Sequence, residues 1–94
     1  MYAAVRRYEG VTDPAQVGRL VNEGFIPLIR QIPGFVAFYW INPGNGVVLS
    51  TSVFRDQAGA DESIKRASDF VRDNLASLLP NPPQVMAGEV EAHA

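Results

Sequence analysis

The sequence predicts an α+β domain: a four-stranded antiparallel sheet with two helices on one face. Three observations carry that prediction. Apolar residues recur at helical spacing in two stretches, Val17 to Ile32 and Ile64 to Leu78. Short β-rich stretches flank and separate them, in the order β-α-β-β-α-β. The two middle strands are joined by Asn42-Pro43-Gly44-Asn45-Gly46, a turn signal that makes them a hairpin.

Tyr2 to Tyr8 reads as the first strand, short and closed by Gly10. Thr12-Asp13-Pro14 starts a helix, because Thr12 or Asp13 can cap free N–H groups and proline costs nothing in the first turn. Val17, Leu20, Val21, Phe25, Leu28, Ile29 and Ile32 form its apolar face. Pro27 interrupts the pattern and predicts a kink or a broken hydrogen bond near Glu23. The helix ends before Pro33-Gly34. Phe35 to Ile41 and Val47 to Arg55 are the hairpin strands. A second helix opens at Asp56, with Ile64, Ala67, Ser68, Val71, Leu75 and Leu78 as its stripe, and ends at Pro80-Asn81-Pro82-Pro83. Gln84 to Ala92 is the last strand, with Gly88 as a candidate bulge. Right-handed crossovers put both helices on one face, the ferredoxin-like arrangement, in one domain over residues 1–94.

Composition excludes several function classes. Eight basic and ten acidic residues leave a net charge of -2, with no basic face for nucleic acid. There is no cysteine, hence no disulfide, thiolate metal site or cysteine nucleophile. No apolar run approaches the roughly 20 residues of a membrane span, and charge follows the short apolar N-terminus, unlike a signal peptide. A cytoplasmic chain without membrane or nucleic-acid partner is expected. The lone histidine, His93, is next to last, so a Ser-His-acid set is not expected, and no ligand spacing suggests a metal.

The second strand does not alternate. Phe35, Ala37, Tyr39 and Ile41 oppose Val36, Phe38 and Trp40, so both faces are apolar. Helices cover only one of them. The other predicts an interface, and a second copy of the sheet packed about a twofold axis is the simplest cover. A homodimer with a barrel-like sheet sandwich at its centre is therefore expected.

The element order, Ile32-Pro33-Gly34-Phe35 at the second strand and Gly88-Glu89-Val90 in the last together resemble the dimeric α+β barrel superfamily. Within it, the match is to antibiotic biosynthesis monooxygenase-like domains. The resemblance covers nearly the whole chain and implies a homodimer with a hydrophobic cavity between sheet and helices in each subunit. It implies cofactor-independent oxidation of small aromatic or enolisable substrates, with no metal and no flavin. Active relatives use a strand asparagine and a helix tryptophan, and haem-degrading ones a helix histidine. Here the first strand has Arg6 and Arg7 and no asparagine, and the second helix has neither tryptophan nor histidine. Haem degradation is not expected.

The ligand-binding candidates are Arg6, Arg7, Asn22, Tyr39 and Trp40. A guanidinium beside a pocket pairs with a phenolate or carboxylate; the alternative for Arg6 and Arg7 is a salt bridge, for instance to Glu89 or Glu91. Asn22 offers an amide to a ligand oxygen, or to a cap or solvent. Tyr39 and Trp40 suit a planar ligand but point to opposite faces, so at most one lines a given pocket. No catalytic residue is assigned. Two other functions stay open: a non-catalytic small-ligand-binding module, and a structural or stress-related dimer whose pocket is filled by its own side chains.

Overall fold

A computed structural model describes residues 1–94. β1 (Tyr2–Tyr8) leads into α1 (Pro14–Leu20), a π-helical turn (Val21–Phe25) and α2 (Ile26–Ile29). The hairpin β2 (Phe35–Gly44) and β3 (Val47–Phe54) follows. α3 (Gln57–Phe70) runs into a second π-helical turn (Val71–Leu75), and β4 (Gln84–Glu89) closes the chain. The strands form one antiparallel sheet in the order β2-β3-β1-β4, with both helical arms on one face. This is the expected ferredoxin-like α+β arrangement.

Local chemistry sets the element ends. Asp13 adopts a left-handed backbone (φ 51°) and its carboxylate accepts the Gln16 N–H at 3.3 Å, with Pro14 next. Asp56 caps α3 by accepting the Gly59 N–H at 3.0 Å. A Cβ on Gly59 would lie 2.6 Å from Cδ1 of Phe54, so only glycine lets the first turn of α3 lie this close to β3. The hairpin turn is tighter than expected. Asn45 and Gly46, both at positive φ, form a two-residue loop of the kind that matches strand twist.

The π-helical turns answer a geometric problem. In the first arm Val17, Val21, Phe25 and Ile29 are all buried, each four residues from the last. In an α-helix four residues overshoot one turn by about 40°, so such a row would drift off the core. A π turn takes in an additional residue and brings the row back. The Ile26 N–H accordingly bonds to the carbonyl of Val21, and Pro27, lacking an N–H, leaves Glu23 without its helical donor. The expected disturbance at Glu23 is thus a π turn. The second arm repeats the spacing through Ser63, Ala67, Val71 and Leu75. This shifts its inward face from the expected stripe: Ser63, outside that stripe, is buried together with Ala67, while Ser68 is exposed.

The expected bulge at Gly88 and the expected run of the last strand to Ala92 are both corrected. Gly88 pairs regularly with Ala3, and β4 ends at Glu89. The irregularities lie in β2, between Phe35 and Ala37 and between Ile41 and Gly44. The first absorbs Val36, so Phe35 turns inward with Phe38 and Trp40, against the core, and parts from Ala37, Tyr39 and Ile41.

The core lies between sheet and helices, around Tyr8, Val21, Phe25, Ile29, Val48 and Phe54. The opposite sheet face has no cover. One row across it reads Tyr39, Thr51, Val5, Met86, and the next reads Ile41, Leu49, Arg7, Gln84. Met86 is 73% and Tyr39 58% exposed, with Val5 and Ile41 also exposed. No helix is long and apolar enough to cross a membrane.

Candidate functional site

On the covered face, strand register brings four side chains into one row: Trp40, Ser50, Arg6 and Val85. The next row pairs Tyr8 with Val48. Ser50 is small, so the sheet is hollow between Trp40 and Arg6. The helical arms roof this hollow with Val21 and Phe25 from the first π turn, Ala67 and Phe70 from α3, and Val71 and Leu75 from the second. Both π turns therefore face the same space, as such turns frequently do at functional sites.

Five aromatic rings stand in the wall, from Tyr8, Phe25, Phe38, Trp40 and Phe70. Tyr8 and Trp40 stand 6.2 Å apart between centroids, tilted by 41°. Phe25 lies 5.5 Å from both Phe38 and Phe70. Phe70, which the expected stripe left aside, reaches this position because residue 24 is glycine: a Cβ there would sit 2.9 Å from Phe70 Cε1. The packing nearly fills the hollow. The centre of a water-sized sphere has only ≈20 Å³ of freedom inside it, room for one or two waters.

Arg6 is the chemical centre. It is 3% exposed, and its Nη2 donates to the carbonyl of Ile64 at 2.6 Å. It takes part in none of the chain's ion pairs, which join Arg7 to Glu9, Arg66 to Glu62, and Arg72 to Asp69 and Asp73. Within the chain, the alternative salt bridge from Arg6 to Glu89 or Glu91 does not form. Burial lowers the Arg6 pKa, and the neighbouring Tyr8 opposes that shift. Burial likewise raises the Tyr8 pKa, opposed by Arg6. A guanidinium has five donors, and a buried cation without a counter-charge is costly, so the arrangement favours an incoming anion.

The raised Tyr8 pKa predicts alkaline destabilisation. Above pH 10.0, the ordinary value, the unfolded chain releases this proton while the folded chain keeps it. Unfolding then becomes easier as pH rises, until Tyr8 ionises in the folded state as well. Tyr8→Phe should flatten that part of a denaturation profile measured between pH 9 and 11.

Of the five candidates, Arg6 and Trp40 meet at this hollow. Arg7 points to the uncovered face and pairs with Glu9. Tyr39 stands on that face too, and Asn22, within the first π turn, is exposed. Tyr8, Ser50 and Phe70 join the site without having been singled out as ligand candidates. Tyr8 was within reach of sequence reasoning, since it shares the period-two face of Arg6. No three His, Asp or Glu side chains gather where they could hold a metal.

Beside the hollow, a second and wider space opens between α3 and β4. Arg6, Tyr8 and Val71 border both; Ile64, Ser68, Pro83 and Val85 complete the outer one. There the centre of a water-sized sphere has ≈160 Å³.

No family model and no curated protein matches the sequence. Solved structures do match in fold. NE2512, a protein of unknown function from Nitrosomonas europaea, superposes with a TM-score of 0.81 at 23% identity, covering 99% of this chain and 91% of that one. A monooxygenase from the gene ActVA-Orf6 of Streptomyces coelicolor, in complex with the ligand nanaomycin D, gives 0.75 at 22% identity, covering 99% and 89%. SnoaB, a cofactor-independent oxygenase from Streptomyces nogalater, gives 0.72 at 12% identity, covering 98% and 94%. This chain thus has the α+β fold of the antibiotic biosynthesis monooxygenase-like proteins.

Proposed function

We propose that the protein is a cytoplasmic homodimer that binds a small planar phenol or enol as its anion at Arg6 and oxidises it with O₂, using no metal or flavin. The observation that carries this reading is the buried guanidinium without a carboxylate partner, set among Tyr8, Trp40 and Phe70. Ion pairing with Arg6 lowers the cost of deprotonating the substrate. The electron-rich anion passes one electron to O₂, and the resulting radical pair combines at carbon. For an anthrone, the C–OO⁻ so formed takes back the proton that the substrate released, and the resulting C–OOH loses water to leave a carbonyl. The balance is CH₂ + O₂ → C=O + H₂O, a four-electron oxidation at carbon in which O₂ takes all four electrons.

The test is oxygen uptake over a panel of hydroquinones and anthrones. The reading expects one O₂ consumed per carbonyl formed from an anthrone, above the rate in buffer. Binding without uptake would leave a non-catalytic ligand-binding protein. The near-filled hollow favours a further reading, a structural dimer whose interior is occupied by its own side chains; absence of binding across the panel would support it.

A further inference from the structure

We propose that the groove between α3 and β4 is where the ring system of the ligand docks, with its anionic oxygen against Arg6 at the inner end. The inference rests on the phenolate reading above and adds where the ligand body lies and how it enters. The hollow under the helices has room for only one or two waters and cannot take a six-membered ring without displacing Phe70 or Trp40. The groove is about eight times roomier by the same measure, 160 against 20 Å³, and reaches the same guanidinium.

Arg6 itself points to this side. Its Nη2 bonds to the carbonyl of Ile64, a residue of the groove wall. The remaining walls suit a flat aromatic body: Val71, Pro83 and Val85 are apolar, and the Tyr8 ring stands beside Arg6. A few polar groups among apolar walls is the usual make-up of a small-ligand site. The outer rim is open, because Ser68 on α3 and Val85 on β4 are both exposed. The substrate class is therefore an elongated planar phenol or aromatic acid, longer than one ring, that enters from the β4 edge. The inner hollow is then left for something no larger than water or O₂.

The chain has no cysteine, so Ser68→Cys supplies a unique thiol at the rim. The exposed Ala15, on the first turn of α1, gives the control Ala15→Cys. Each variant is titrated calorimetrically with 1-hydroxy-2-naphthoate before and after reaction with a bulky aryl maleimide. Labelling Ser68→Cys is expected to raise Kd roughly tenfold or more, while labelled Ala15→Cys binds like its unlabelled form. Saturating naphthoate should also slow labelling of the Ser68→Cys thiol and leave the Ala15→Cys thiol unaffected. Undiminished binding by labelled Ser68→Cys, with binding still lost in Arg6→Met, overturns the groove and leaves the phenolate reading standing. No binding of naphthoate or any panel phenol to the parent overturns both.

Discussion

Arg6→Met is expected to weaken binding of a phenolate or aromatic carboxylate by about 2 to 3 kcal/mol, roughly 30- to 150-fold in Kd. The same substitution should leave thermal stability unchanged or slightly raised. The two effects separate because of where Arg6 sits. It is buried, pairs with no carboxylate, and donates to the Ile64 carbonyl, which belongs to α3. Methionine fills much of the same volume without the cost of burying a charge, and such replacements are often neutral or stabilising. A residue kept only for packing would show the opposite pattern: lower stability and no change in ligand affinity. Calorimetric titration with 1-hydroxy-2-naphthoate and a melting curve on the same sample decide between the two. Equal affinity in parent and variant would remove Arg6 from the site.

Val5→Lys is expected to convert a dimer into a monomer at micromolar concentration. Val5 lies on the uncovered face, one strand in from the edge, beside Thr51 and Met86 in the row that begins with Tyr39. In a lone subunit a lysine there stays hydrated, since the parent side chain is already 40% exposed, and the loss of strand preference is below about 1 kcal/mol. In a twofold sheet-on-sheet interface two such lysines enter the same apolar layer, at a cost of several kcal/mol each. Sedimentation should show the change directly. The parent's melting temperature should also rise with protein concentration, and that of the variant should not. A parent that sediments as a single subunit would leave the apolar face without its expected cover.

The sequence made the order of elements legible because each has a local cause. Asp13-Pro14 and Asp56 start the helical arms, and Asn45-Gly46 turns the hairpin. The site was harder to read because it depends on register and phase. Which of Tyr39 and Trp40 looks inward is reversed by a slip of one residue, and the irregularity at Val36 makes just that change relative to Phe35. That Trp40, Ser50 and Arg6 share a row follows from two strand pairings that no local pattern encodes. Phe70 stood outside the expected stripe for a related reason. A uniform α-helical wheel sends it off the stripe, whereas its seat depends on the glycine at position 24 of the other arm. The run of buried positions four apart, Val17, Val21, Phe25 and Ile29, was the signal that an unbroken α-helix would not do.

The pairing of β4 with β1 joins the two ends of the chain, Arg7 with Gln84 and Tyr2 with Glu89. The β2–β3 hairpin needs only to fold back across two residues. Loop-closure entropy therefore delays β4 until the rest has assembled. As an edge strand with every residue exposed, it is also the piece that detaches at least cost. The strand expected to join last in folding is thus also the one whose amide hydrogens should exchange first in the native state.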